Sequence, residues 1–201
     1  MKLIFPIMII IFTMLIFASC MSVNHQRPEP LEKGKMALDL YVTNYAAPAI
    51  AGNNILSDYS IGWQFGIIPR LGITPWSEIG LKLCLPEILF YYKHRVTPTD
   101  FPVQMTLIGE LGLYSELPNF NQTLIFYRQF GTITPYGGIK NIFIMGMEGA
   151  IFDLSYKGDL FLSGEWKALP WLTIILEYNY TFFWKAFALG AHGISLGISF
   201  E

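Results

Sequence analysis

From Leu172 to Phe182 the chain reads L-T-I-I-L-E-Y-N-Y-T-F, and its side chains sort into two rows at a period of two. Leu172, Ile174, Leu176, Tyr178, Tyr180 and Phe182 form one row; Thr173, Ile175, Glu177, Asn179 and Thr181 form the other. Successive strand residues point to opposite faces, so this spacing predicts a strand with one apolar and one polar face. A half-buried strand of a soluble sheet gives the same pattern. What constrains the fold is how often the pattern returns.

It returns at 35–43, 61–67, 78–85, 88–95, 103–113, 159–167 and 193–200, which with 169–183 makes eight strands. Two further strands are expected at 121–130 and 136–145, with less regular phase. Arg128 falls in an apolar row, which a bulge would accommodate, and Lys140 argues that Tyr136, Gly138 and Ile142 share its polar face. The expected fold is therefore all-β, an antiparallel barrel of ten strands, with eight as the alternative.

Composition decides what kind of barrel. Aromatic residues make up 16% of the chain, charged residues only 14%, and the mean hydropathy is +0.42. A chain this apolar would normally carry membrane helices, each needing about 18 or more consecutive apolar residues. Beyond the N-terminus, polar residues interrupt every apolar run within a few positions. A hydropathic chain of alternating segments fits a transmembrane β-barrel, where strands cross the bilayer and close on one another. The net charge of −2 and the absence of any Lys/Arg cluster argue against nucleic-acid binding.

The N-terminal text has the parts of a secretory signal: Lys2, an apolar stretch over 3–17, then Ala18 and Ser19. Phe17-Ala18-Ser19-Cys20 resembles the lipobox of bacterial lipoprotein signals, although Phe17 stands where Leu is usual. The resemblance implies cleavage before Cys20 and lipid on its sulfur. Residues 1–19 are thus read as signal, 20–32 as a lipidated extended tether, polar and carrying Pro28 and Pro30, and 33–201 as the barrel. With Cys20 lipidated, Cys84 would have no disulfide partner within the chain.

Three turns share a Pro-aromatic signature: G-I-T-P-W at 72–76, T-I-T-P-Y at 132–136 and K-A-L-P-W at 167–171. Proline lacks the N–H that a ladder uses and suits a turn or a strand's first residue. Trp76, Tyr136 and Trp171 then stand where strands would enter a membrane interface. With 96–101, these turns gather at the end that holds both barrel termini. Longer connections are expected at the other end, at 45–59, 114–120, 146–158 and 184–191. The Pro-aromatic turns, the E-Y-N-Y text at 177–180 and the ending I-S-L-G-I-S-F at 194–200 resemble the small bacterial outer-membrane β-barrel proteins. The resemblance implies an outer-membrane location, membrane lipid and the outer-membrane assembly machinery as partners, and an extracellular ligand reached through 45–59 and 146–158. Glu201 follows Phe200, so the final aromatic is not terminal.

The polar rows carry Lys35, Lys82, Lys93, Arg95, Lys140 and Lys167 against Asp39, Glu78, Glu110, Asp159, Glu165 and Glu177. Charge is costly on a lipid face and tolerable in a lumen, where opposite signs can pair. Eight strands leave room only for side chains, and ten leave little more. The reading is a non-enzymatic barrel with a polar, largely side-chain-filled lumen, in a structural or surface-interaction role or as a narrow pore. One alternative is a lipid-anchored, lipocalin-like barrel with apolar residues inside and a small apolar ligand. A second is a barrel-embedded lipid-modifying enzyme. The three histidines offer it little: His25 lies in the tether, His94 in an outward row, and His192 and Ser195 face opposite sides of one strand. No catalytic residue, cofactor site or metal ligand set is read from the sequence.

Overall fold

The computed structural model describes residues 26–51, 54–84, 87–114, 117–148, 151–183 and 186–201, with side chains except at 47–51, 54–61, 114, 144–148, 151–156, 183 and 186–189. The signal, Cys20 and the first part of the tether lie outside the described residues.

Ten antiparallel strands form a closed barrel in which each pairs with its chain neighbours and the first pairs with the last. They are β1 (Met36–Ala51), β2 (Asn54–Thr74), β3 (Ser77–Cys84), β4 (Glu87–Arg95) and β5 (Gln104–Tyr114), then β6 (Leu117–Tyr127), β7 (Ile133–Glu148), β8 (Ile151–Leu169), β9 (Leu172–Phe183) and β10 (Ala186–Phe200). Closure leaves no unpaired edge, since Leu38 on β1 pairs with Phe200 on β10. The ten-strand expectation holds, and the alternation that predicts it is the burial pattern itself. On β9, Leu176 is 59% exposed while Glu177 is 1% exposed.

Apolar rows face outward all round the wall. Leu111, Leu162, Ile194 and Phe90 are all exposed, whereas Lys82, Lys93, Glu110 and Lys140 are wholly buried. The outside is apolar, while the inside holds all of these charges together with an apolar cluster that includes Ile68, Ile108, Ile125 and Ile175.

The turns of the Pro-aromatic end join β2 to β3, β4 to β5, β6 to β7 and β8 to β9, at the end where β1 starts and β10 stops. Gly131 takes φ 60° in the β6–β7 turn, and Gly34 takes φ 82° where the chain bends into β1. Side chains rarely adopt that region, and glycine does so freely. Arg128 needs no bulge: β6 ends at Tyr127, and the Arg128 guanidinium lies 5.1 Å from the centre of the Phe130 ring at the rim.

At the other end, 45–59 and 146–158 are not loops but mostly ladder. β1 and β2 pair up to Ala51↔Asn54, and β7 and β8 up to Glu148↔Ile151. Backbone pairing does not require apolar alternation, which is why the sequence pattern fades before the strands do. Inside the wall, Tyr41 and Tyr91 lie directly across from Gly66 and Gly80. A Cβ on either glycine would fall within the tyrosine ring, so glycine is what lets these rings lie flat against the lumen.

Candidate functional site

The site is the lumen, and its chemistry is built from three sets of charges. The first centres on Arg70 and Glu78, both buried. Arg70 lies 3.0 Å from Asp39 and 3.3 Å from Glu78, and donates to Ser199 at 3.1 Å. Glu78 also accepts from Lys93 at 2.7 Å, from the Tyr91 hydroxyl at 2.8 Å and from the backbone N–H of Leu31 at 2.8 Å. A buried carboxylate is tolerated when it is paired and its lone pairs are filled, as here.

The second set surrounds Glu110 on β5. Its carboxylate lies 2.7 Å from Lys140 and accepts from Asn121 at 2.9 Å and from Gln26 at 2.6 Å. Lys140 stands opposite Asp159 in the β7–β8 ladder. Glu87 accepts from Asn119 at 3.0 Å and lies 4.0 Å from Lys82. On the neighbouring wall Glu177 accepts from Ser163 at 3.1 Å.

The third set closes the mouth at the turn end. Arg27 forks onto Glu165 at 2.9 and 3.3 Å and pairs with Glu201. Such two-pronged contacts suit the planar guanidinium. Arg95 lies 3.3 Å from Glu29, with its guanidinium 4.4 Å from the Trp76 ring centre. Burial opposes the Arg27 charge, but Glu165 and Glu201 more than offset it and hold the guanidinium protonated. Burial likewise works against the Glu201 carboxylate, yet Arg27 pulls its pKa below the usual range. Burial raises the pKa of Glu29, with Arg95 opposing. A cavity of about 310 Å³ remains at this mouth, bordered by Arg27, Glu29, Arg95, Glu165 and Glu201.

The segment 26–31 is the feature that reading the tether as free chain misses. Gln26 and Leu31 are buried, and the segment binds Glu110, Glu165 and Glu78 from within. A polar stretch with two prolines carries no periodicity, so its place is set by the side chains it meets, among them Glu78, Glu110, Glu165, Glu201 and Arg95.

Of the twelve charges expected in the lumen, Asp39, Glu78, Lys82, Lys93, Arg95, Glu110, Lys140, Asp159, Glu165 and Glu177 are buried. Lys35 and Lys167 are not. Lys35 pairs with Glu32 at 2.8 Å in solvent, and Lys167 lies exposed near the end of β8, where the wall gives way to the mouth. Arg70 and Glu87 are absent from the expected set. β2 continues through Pro69, and Arg70 keeps the parity of Gln64, Gly66 and Ile68; following that parity past the proline would have found it. Trp76 and Trp171 lie outward and exposed, but Tyr136 does not. Lys140 fixes the phase of β7, which turns Tyr136 inward against Phe161 at a ring distance of 6.4 Å.

His94 lies on the outer surface, with Nδ1 2.8 Å from Ser77 Oγ, while the hydroxyl of Tyr92 lies 3.1 Å from the same Ser77 oxygen. His192 is outward and bonded to Tyr178 at 2.7 Å, while Ser195 points inward to Thr43 at 2.9 Å. Among the described residues neither histidine joins a Ser–His–carboxylate line. Among the described residues no group of three His, Cys, Asp or Glu is placed to hold a metal ion.

No protein-family model and no curated protein matches the chain. Several solved structures are similar. Neisserial surface protein A is 11% identical at a TM-score of 0.42, covering 82% of this chain and 96% of that one. The attachment invasion locus protein Ail of Yersinia pestis, solved with the heparin analogue sucrose octasulfate, is 9% identical at 0.37, covering 84% and 98%. The translocator domain of the autotransporter NalP from Neisseria meningitidis is 8% identical at 0.48, covering 89% and 90%.

Proposed function

We propose that this chain is a non-enzymatic bacterial outer-membrane β-barrel whose lumen is closed by its own side chains and by residues 26–31. The observation that carries the reading is the polarity of the wall, with Leu176 exposed and Glu177 buried beside it. A barrel that holds an apolar ligand in water has the opposite polarity, which argues against the lipocalin-like alternative. Exposed Leu, Ile and Phe on every strand suit hydrocarbon, and strands of 8 to 21 residues bracket the roughly 9–11 needed to cross it. Trp76 and Trp171 at the turn end suit an interface.

The three charge sets crowd the described lumen with paired side chains. The role is therefore structural or surface-directed, and the hairpins at 45–59 and 146–158 are where an extracellular ligand would meet it. Membrane lipid and the outer-membrane assembly machinery are the other partners this reading requires. Planar-bilayer recordings test it: the protein should insert without a steady conductance, and a stable ohmic channel from the full chain would overturn the closed lumen. Lipid on Cys20 belongs to the same reading. Fatty-acid labelling should disappear in Cys20→Ala while the barrel still folds, and labelling that survives would remove the anchor.

A further inference from the structure

In the closed barrel every ladder but one joins strands that are consecutive in the chain, so a covalent turn holds each of those pairs together. The exception is β1 with β10, which no turn joins. Bringing segments so far apart in sequence together carries a loop-closure cost, and parting them would bare two strand edges. The alternation of the turns puts the place of the missing one at the Pro-aromatic end, where β1 starts and β10 stops.

The segment before β1 spans that place. It first continues the ladder with β2 beyond Met36: Gly34 N–H donates to the Gly72 carbonyl at 2.8 Å, and Gly72 N–H donates to the Lys35 carbonyl at 3.0 Å. A Cβ on Gly72 would fall on the carbonyl oxygens of Leu31 and Glu32, which are backbone atoms and cannot swing aside. Glycine here lets the segment lie against the wall. Arg27 then donates to Ser199 of β10 at 3.4 Å and pairs with Glu201 just beyond that strand. Glu201 is itself held, its N–H donating to the Trp171 carbonyl at 3.1 Å. Ser199 also accepts from Arg70 of β2 at 3.1 Å, across the intervening β1.

We infer that Arg27, Ser199 and Glu201 form a clasp that stands in for the missing turn and holds the β1–β10 seam shut. The clasp joins the chain just before β1 to the chain at the end of β10, as a hairpin turn would. The fork of Arg27 onto Glu165 extends the hold to β8. The same segment meets β4 through Glu29 and β5 through Gln26, so a role at the seam has to be separated from that of a general brace.

Hydrogen exchange of the full chain in lipid vesicles, read by mass spectrometry, separates them. Arg27→Gln should speed exchange about tenfold at 38–42 and 196–200, the turn-end half of the seam, and leave 105–113 and 118–126 of the β5–β6 ladder unchanged. Glu201→Gln, the milder change, should give the same pattern at smaller size. Glu29→Gln, which frees the segment from Arg95 of β4 and leaves Arg27 in place, should keep the seam slow. Equal acceleration of both ladders, a seam unchanged in both Arg27→Gln and Glu201→Gln, or a seam opened as far by Glu29→Gln as by Arg27→Gln would overturn the clasp.

Discussion

Arg70 stands between Asp39 and Glu78 with all three side chains buried. Removing one member of such a set leaves a buried charge without its partner, which costs about 3–5 kcal/mol. Arg70→Leu should lower the urea midpoint in lipid by an amount of that order, and Asp39→Asn in the same background should recover part of it. A neutral Arg70→Leu would mean that Lys93, the Tyr91 hydroxyl and the Leu31 N–H suffice to hold Glu78. The residue scale is also where the sequence is read least completely. Glu177 can be placed at sight because Leu176 and Tyr178 flank it in a strict alternation. Arg70 follows a proline, which reads as the end of a strand, although Pro69 opposite Leu38 simply lacks the N–H and leaves the parity intact. Tyr136 was legible only through Lys140, four residues on, because its turn signature pointed the other way.

At the scale of elements, the segment 26–31 behaves as an internal cap on the lumen, and its attachment is ionic. Glu201 has its pKa lowered in the folded protein, with burial opposing and Arg27 prevailing. A depressed carboxyl contributes stability that is present above its unfolded pKa, near 4.3, and is lost as pH falls through its folded value. Glu29 has the opposite sign, because its raised pKa favours the protonated form. Acidification below about pH 4 should therefore weaken the Arg27 anchor and expose 26–31 to proteolysis. Glu201→Gln should flatten that acid limb and leave the segment more accessible at neutral pH. An acid limb that is the same in Glu201→Gln would contradict the role given to Glu201. Strand existence was legible because a wall with two solvents imposes a period of two along every strand. Where 45–59 and 146–158 run on as ladder, the alternation in the sequence fades, and the pattern gives no warning that the strands continue.

At the scale of the whole molecule, ten alternating segments with no long apolar run beyond the N-terminal stretch leave few folds other than a closed barrel. Which side faces in was legible from where the charges sit, because Lys and Glu can share one row only if that row is shielded from hydrocarbon. The packing of the lumen was not legible, since it depends on which charges meet across the barrel and on a segment with no periodicity. The claim on which everything else stands is the direction of the wall. It is tested most directly by placing a nitroxide in turn at Ile174, Ile175, Leu176, Glu177 and Tyr178 of β9 in lipid vesicles. The account predicts high oxygen accessibility at 174, 176 and 178 and low values at 175 and 177. A uniform profile, or one in which a water-soluble nickel chelate reaches 174, 176 and 178, would contradict it.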